Sequence, residues 1–348
     1  MLRILVTGNQ GYIGPVVSKI IKEEIPNVFL IGIDTGFFYS CNTCFGRHGD
    51  NYYDLQINKD VRDISADDIK DIDSIIHLAA ISNDPMGKEF ESITREVNQE
   101  ATFSLAKLAS ENGVKSFTFA SSCSMYGAGG NKAKVESDET NPLTAYAKSK
   151  IGVEKNLVES LSSSEMKITN LRFSTACGAS DRLRLDLVLN DFVASALKFN
   201  HIDILSDGSP WRPLIDVKDM GRAIVWSIIR DETTVNPLSI NVGANEWNYQ
   251  IKDLALAVGS ILEKASININ NDAMPDKRSY SVDFSLFKKL AGEFYPRNTL
   301  DQSIKELIDV LRKVELPKEG FREIGLFRLN HIKNLKNDGY LSDNLRWI

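Results

Sequence analysis

Leu2-Arg3-Ile4-Leu5-Val6-Thr7-Gly8-Asn9-Gln10-Gly11-Tyr12-Ile13-Gly14 decides how this chain folds. An almost unbroken apolar run reads as a strand buried on both faces, and three glycines follow it at once. Gly8 lets the strand turn sharply. Gly11 lets backbone approach a pyrophosphate at a helix N-terminus, and Gly14 permits close packing of helix on strand. Gln10, Tyr12 and Ile13 belong to the same ligand-facing turn. Pro15 fits the first turn of the helix that follows, where its missing amide has no intrahelical partner. With the strand beginning at residue 2, the N-terminus reads as structure and not as a signal peptide.

Outward from this turn, apolar runs at 28–33, 74–78, 116–120 and 167–173 alternate with helix-like stretches at 16–24, 96–111 and 145–160. Short apolar strands alternating with helices predict an α/β fold, a doubly wound, Rossmann-like parallel sheet covered on both faces. After residue 175 the rhythm loosens, with helices expected at 185–199, 220–230, 249–262 and 300–314 and short strands at 202–205 and 238–242. The expected organisation is a cofactor-binding and catalytic domain over 1–175 and a smaller mixed α/β substrate domain mainly over 176–316. A charged tail over 317–348, with a short helix near 330–335, has no assigned role.

The chain has 348 residues, 43% hydrophobic and 25% charged, which describes an ordinary soluble globular protein of one large or two smaller domains. A net charge of −6 argues against nucleic acid or an anionic membrane as the main partner, so an anionic ligand must be held by local arginines and amides. No apolar run approaches the ~20 residues needed to span a bilayer. Four cysteines make no disulfide framework in so long a chain, which fits a reducing cytoplasm. Cys41-Asn42-Thr43-Cys44 lacks the further ligands that zinc requires, His48 alone being near, so no metal is expected.

Downstream, Tyr146-Ala147-Lys148-Ser149-Lys150 places a phenol and an ammonium at i and i+4 on one helix face, with Ser121-Ser122 at a strand end before it. A free tyrosine titrates near pH 10, too high for efficient proton transfer at neutral pH. A neighbouring ammonium and a positive nicotinamide ring both favour the phenolate. Asp34 closes the second strand, where a carboxylate accepts from ribose hydroxyls and repels a 2′-phosphate; this favours NAD over NADP. A turn-starting Asp before Thr35-Gly36 accounts for that residue as well.

The glycine turn, Asp34, Asp60-Val61-Arg62-Asp63, His77-Leu78-Ala79-Ala80, Asn98, Ser121-Ser122-Cys123-Ser124-Met125-Tyr126-Gly127 and Tyr146-x-x-x-Lys150 occur in that order. In this the chain resembles the extended short-chain dehydrogenases/reductases of the nucleotide-sugar epimerase/dehydratase family, from residue 1 to about residue 310. The resemblance implies Asp60 and Val61 beside the adenine, Leu78, Ala79 and Ala80 along the cofactor cleft, and Asn98 bracing the catalytic region. Ser122 would bind the hydroxyl being oxidised, Tyr146 would act as base and Lys150 as its electrostatic partner and ribose ligand. Arg212 and Arg278, the latter in Asp276-Lys277-Arg278-Ser279-Tyr280, would hold the substrate diphosphate. The family's helix-bundle dimer, built from the helix after Asn98 and the one carrying Tyr146, is permitted by Phe103, Leu105 and Leu108.

Departures shape the expected reaction. Cys123 and Ser124 stand where the 4,6-dehydratases place an Asp-Glu pair, so dehydration is not expected. Thr175 replaces an asparagine that often faces the sugar or diphosphate, and Asp216 replaces a histidine. Asn83 and Asp84 suit sugar hydroxyls, and Asn-Asp-Pro is equally plain turn chemistry. The arginines of 182–190 and Asn190 could reach a diphosphate or simply begin a solvated helix. The expected substrate is a nucleotide-diphosphate sugar oxidised at C4. The reaction is foremost that of an epimerase, with a 4-dehydrogenase, a ketoreductase and a non-catalytic NAD-binding protein as alternatives.

Overall fold

The computed structural model describes all residues except 129, 131, 232–234, 271 and 274–277. Among the described residues, the apolar runs pair in parallel as β1 (Leu2–Thr7), β2 (Val28–Asp34), β3 (Leu55–Asn58), β4 (Ser74–His77), β5 (Ser116–Ser122), β6 (Lys167–Phe173) and β7 (Leu238–Val242). Their spatial order is β7-β6-β5-β4-β1-β2-β3, so the winding reverses between β1 and β4. In open sheets of this kind, ligands bind at the carboxyl ends of the strands flanking that reversal. Register confirms the alignment there, with Thr7 beside both Ile33 and His77.

Side chains alternate between two cores. Ile4, Val6, Leu30 and Ile240 face the layer of Val17, Ile21 and Ile224, while Leu5, Ile31, Phe117 and Phe119 face that of Leu105, Val153 and Leu157. Truncating one such buried leucine to alanine costs about 2–5 kcal/mol. Leu105 is thus spent on the protein's own core and Leu108 packs against it, leaving Phe103 the most available of the three positions considered for dimer contact.

The second unit centres on three helices, Val188–Phe199, Ile251–Ile261 and Leu300–Leu311, sharing a core of Leu189, Val193, Leu254 and Leu307. Two units interleave along the chain: β7 and the helix Val217–Ile229 lie far past residue 175 yet belong to the central sheet's layers. One expected helix is irregular. Glu96–Ala101 winds as a π-helical turn before Thr102–Glu111, and it carries Asn98. Such turns commonly mark functional regions. The expected tail helix runs over Arg328–Asn337.

Candidate active site

The glycine turn is fixed by close packing. A Cβ on Gly8, whose φ is 72°, would lie 2.5 Å from the backbone nitrogen of Ala79, so the turn after β1 touches the chain leaving β4. Gly14 abuts Asn9, where a Cβ would lie 1.9 Å from the carbonyl oxygen. Gly11, Tyr12 and Ile13 line the cavity, and among the described residues no side chain caps the helix Gly14–Glu24. The positive end of its dipole therefore lies where an anion would be stabilised. Across the turn, the Gln10 amide donates to Asp34 Oδ2 at 2.9 Å and the Gly36 amide to Oδ1 at 2.8 Å. Burial raises the Asp34 carboxyl, and those two amides pull it back. An uncapped helix start, a glycine cradle and a strand-end carboxylate together fit a dinucleotide.

A cavity of about 880 Å³ runs from this turn across the carboxyl ends of β4, β5 and β6. Asp60, Val61, Leu78, Ala79 and Ala80 line the first part of it; Asn83, Ser122, Tyr146, Lys150, Thr175, Arg212 and Arg278 line the rest. Four expected contact residues stand behind the wall. Gln10 acts through its amide on Asp34, and Gly14 only packs. Asn98 clamps both the amide and carbonyl of Ile81, at 2.8 and 2.9 Å, holding the strand exit in place. Asn190, expected near a diphosphate, is fully buried and accepts from the Gly178 amide while donating to the Arg184 carbonyl.

β5 ends at Ser122, the helix Ala145–Leu161 carries Tyr146 in its first turn and Lys150 in its second, and all three line the cavity. Thr144 caps that helix, accepting from the Ala147 amide at 3.1 Å, and in turn donates to Asp84. Burial pushes the Tyr146 phenol up to about 12; Ser122 opposes this, Asp84 adds to it, and Arg184 pulls the value down. Lys150 donates to the Ala120 carbonyl at 2.7 Å, and burial draws its ammonium down to about 7 against the charge of Glu154. Glu154 itself is buried behind β5, held by Arg172 at 2.7 Å and by Ser121 Oγ at 2.5 Å. His77 bridges Thr7 and Thr102 at 2.8 Å each and is structural; burial lowers it to about 3.

Toward the end of the cavity away from the glycine turn, Arg184 pairs bidentately with Asp186 at 3.0 and 2.9 Å and donates to Ser82. Asn83 donates to the same Asp186 at 2.6 Å while capping the helix Asp84–Glu89. Arg278 reaches Asp84 at 2.8 Å across the mouth. Residues 276 and 277 of its motif lie outside the described residues. Arg182 turns away to Asp50 at 2.5 and 2.7 Å. Cys41 donates its thiol to the Gly325 carbonyl instead of facing Cys44.

Sequence reasoning overlooked Ser124, whose buried hydroxyl has no partner among the described residues and whose residue lines the cavity beside Ser122. The signal was present as a second hydroxyl just past the strand end. It also overlooked Phe327, Arg328, Ile332 and Leu345, all on the cavity wall though they come from the tail.

These features define a dinucleotide-dependent enzyme of the short-chain dehydrogenase type, and comparison with known proteins agrees. The chain belongs to the NAD dependent epimerase/dehydratase family, whose model matches residues 4–243, and its cofactor is NAD. It is 26% identical over 300 residues to an uncharacterised UDP-glucose epimerase of Bacillus subtilis, covering 83% of this chain and 92% of that one. With a UDP-glucuronate 4-epimerase of Thermodesulfobacterium geofontis it shares 23% identity over 88% of this chain and 94% of the relative. Among solved structures, UDP-glucuronic acid 4-epimerase from Bacillus cereus, in complex with UDP-glucuronic acid and NAD, superposes with a TM-score of 0.75 at 22% identity, covering 90% and 100% of the two chains. An NDP-hexosamine 5,6-dehydratase, TunA, does so at 0.77 with 19% identity, covering 91% and 99%.

Proposed function

We propose that this protein is a nucleotide-sugar 4-epimerase that oxidises the C4 hydroxyl of a nucleotide-diphosphate sugar and reduces the resulting ketone from the opposite face. The observation that carries the reading is the convergence of Ser122, Tyr146 and Lys150 on one wall of a cavity whose other end is the dinucleotide turn. NAD supplies the hydride acceptor and, through its positive ring, a field that favours phenolate at Tyr146. Ser122 orients the reacting hydroxyl, and Tyr146 takes its proton and returns it after the sugar has turned over. Lys150, braced on the Ala120 carbonyl, offers a cation next to the phenol; its amine and the Tyr146 ring lie 5.5 Å apart. Ser124 has a spare hydroxyl for a sugar oxygen. Arg212 and Arg278 supply guanidinium groups for the diphosphate.

Dehydration finds no support in the residues after β5. Cys123 is fully buried, its thiol raised well above the usual range by burial and donating to the Arg172 carbonyl, so its proton is held away from substrate. We further propose a cytoplasmic homodimer paired through the helices Thr102–Glu111 and Ala145–Leu161, where Phe103 is partly exposed.

The deciding experiment incubates UDP-, GDP-, CDP- and dTDP-sugars with enzyme and NAD in D2O, followed at 340 nm and by mass spectrometry. A same-mass isomer without lasting NADH supports the epimerase. A product two mass units lighter with equivalent NADH would replace it with a dehydrogenase. Inertness toward every sugar, with NAD bound, would point to ketoreduction or to a binding role.

A further inference from the structure

Residues 317–348 lie outside the stretch matched by the family, yet they cross the molecule and return to the cofactor turn. The helix Arg328–Asn337 buries Ile332 against Ile81, Met86 and Phe90, at the exit of β4. Beyond it the chain makes a tight turn, with Leu341 bridged to Trp347 and the Leu345 amide donating to the Ser342 carbonyl. This turn ties together two loops that are distant in sequence. Trp347 Nε1 donates to the Thr35 carbonyl at 2.6 Å and its ring lies 5.4 Å from Phe37, both just after β2. Arg346 pairs with Asp63 at 2.5 Å, and Arg62 donates to the carbonyls of Asn344 and Leu345, all just after β3.

Leu345 occupies the centre of this arrangement. Its φ is 50°, a left-handed backbone that a bulky side chain rarely adopts. Its side chain is buried and forms part of the cavity wall, in one apolar cluster with Phe37 and Ile81. Asp34, at the end of β2, marks where ribose hydroxyls belong in a sheet of this kind, and Thr35 and Phe37 follow it directly. The turn therefore lies over the adenosine end of the cleft, with Leu345 and Phe37 offering apolar surface to a heterocycle.

We propose that residues 340–348 form the outer wall of the adenosine site, a strap that grips the adenosine half of NAD and must lift for the dinucleotide to exchange. Leu345 supplies the contact, and Trp347 and Arg346 fasten the strap to the loops after β2 and β3. The consequence for chemistry rests on the epimerase reading above: an enzyme that returns its hydride to the same sugar gains from a cofactor that does not leave between the two half-reactions.

The test uses the full chain and the double substitution Arg346→Ala/Trp347→Ala, with Leu345→Gly as an independent second variant. Dissociation constants are measured by calorimetry for NAD, ADP-ribose, nicotinamide mononucleotide and UDP, and the NAD release rate by dilution into competitor. Expected are at least tenfold weaker binding of NAD and ADP-ribose and at least tenfold faster NAD release, with mononucleotide and UDP unchanged. NAD and ADP-ribose affinities within twofold of the parent, in variants with the parent's circular dichroism, would overturn the strap. So would an equal loss for UDP, because that reports general loosening. Should the double variant melt early, Leu345→Gly, which relieves the backbone at that position, decides alone. A parent chain that binds NAD tightly but turns over no sugar would sink the epimerase reading and leave the strap standing.

Discussion

The two ends of the cavity are built by different means. At the dinucleotide end the ligand-facing groups are backbone amides and small side chains, fixed by contacts such as Gly8 against Ala79 and by Asp34 accepting from Gln10 and Gly36. At the sugar end they are charged side chains already engaged with one another, Arg184 with Asp186 and Arg278 with Asp84. A glycine turn made of packed backbone is preorganised, whereas ion pairs must be partly exchanged for contacts to a ligand. One end is thus suited to holding a resident cofactor, and the other to a ligand that enters and leaves.

The largest effect expected from breaking this division comes from the junction between the ends. Tyr146→Phe removes the proton acceptor while keeping the ring, so turnover should fall about 10³–10⁴-fold with NAD affinity within threefold of the parent. Steady-state rates and calorimetry on one preparation check it, and a rate within tenfold of the parent would remove Tyr146 from the chemistry. Next is the support behind that junction, under β5. Glu154→Gln leaves the Arg172 guanidinium in a site where both partners are almost fully buried, and should cost about 3 kcal/mol in urea unfolding. A loss below 1 kcal/mol would mean that water reaches this pair and that the junction is less rigid than its packing implies.

How far the chain could be read in advance follows the same division. The turn at 8–14 and the Tyr146/Lys150 pair were legible because their chemistry is local, a strand end and one helix face. β3 was not, since Leu55-Gln56-Ile57-Asn58 has an exposed leucine and two amides, and only pairing with β2 makes it a strand. The π-helical turn was read as ordinary helix. Its register depends on Asn98 clamping Ile81 and on Thr102 donating to the Asn98 carbonyl, contacts that no periodicity reveals. Asn190 looked like a ligand group because its helix starts near two arginines, and only the fold turns it inward to Gly178. The tail was opaque for the same reason, as its partners Thr35 and Asp63 lie at the other end of the sequence.

The dinucleotide end also carries a pH dependence. His77 is buried and neutral, with its folded value lowered to about 3 from an ordinary 6.5. The unfolded chain then binds more protons than the folded one between those values, so stability rises with pH through that window and is lost as pH falls from 6.5 toward 3. At pH 5 this group alone should have cost about 2 kcal/mol relative to pH 8. His77→Gln, with a side chain that can still reach a threonine, should lower stability at pH 8 yet flatten the acid limb by about that amount in urea titrations at the two pH values. An unchanged acid limb would mean that other groups carry the acid sensitivity.

The smallest expected effect addresses the exchangeable end. Asp84 and Arg278 are 21% and 44% exposed in their side chains, so their bridge contributes no more than about 1 kcal/mol. Asp84→Asn removes the charge but leaves an oxygen to accept from Thr144, so the cap of the helix that carries Tyr146 is preserved. If the carboxylate competes with a substrate diphosphate for Arg278, the variant should bind UDP two- to fivefold more tightly, with NAD affinity unchanged. Arg278→Ala should weaken UDP instead. Equal UDP affinity in Asp84→Asn and the parent would show that the bridge does not have to open on binding. The sugar end would then be as preformed as the dinucleotide end, and the contrast between them would rest on Arg184 and Asp186 alone.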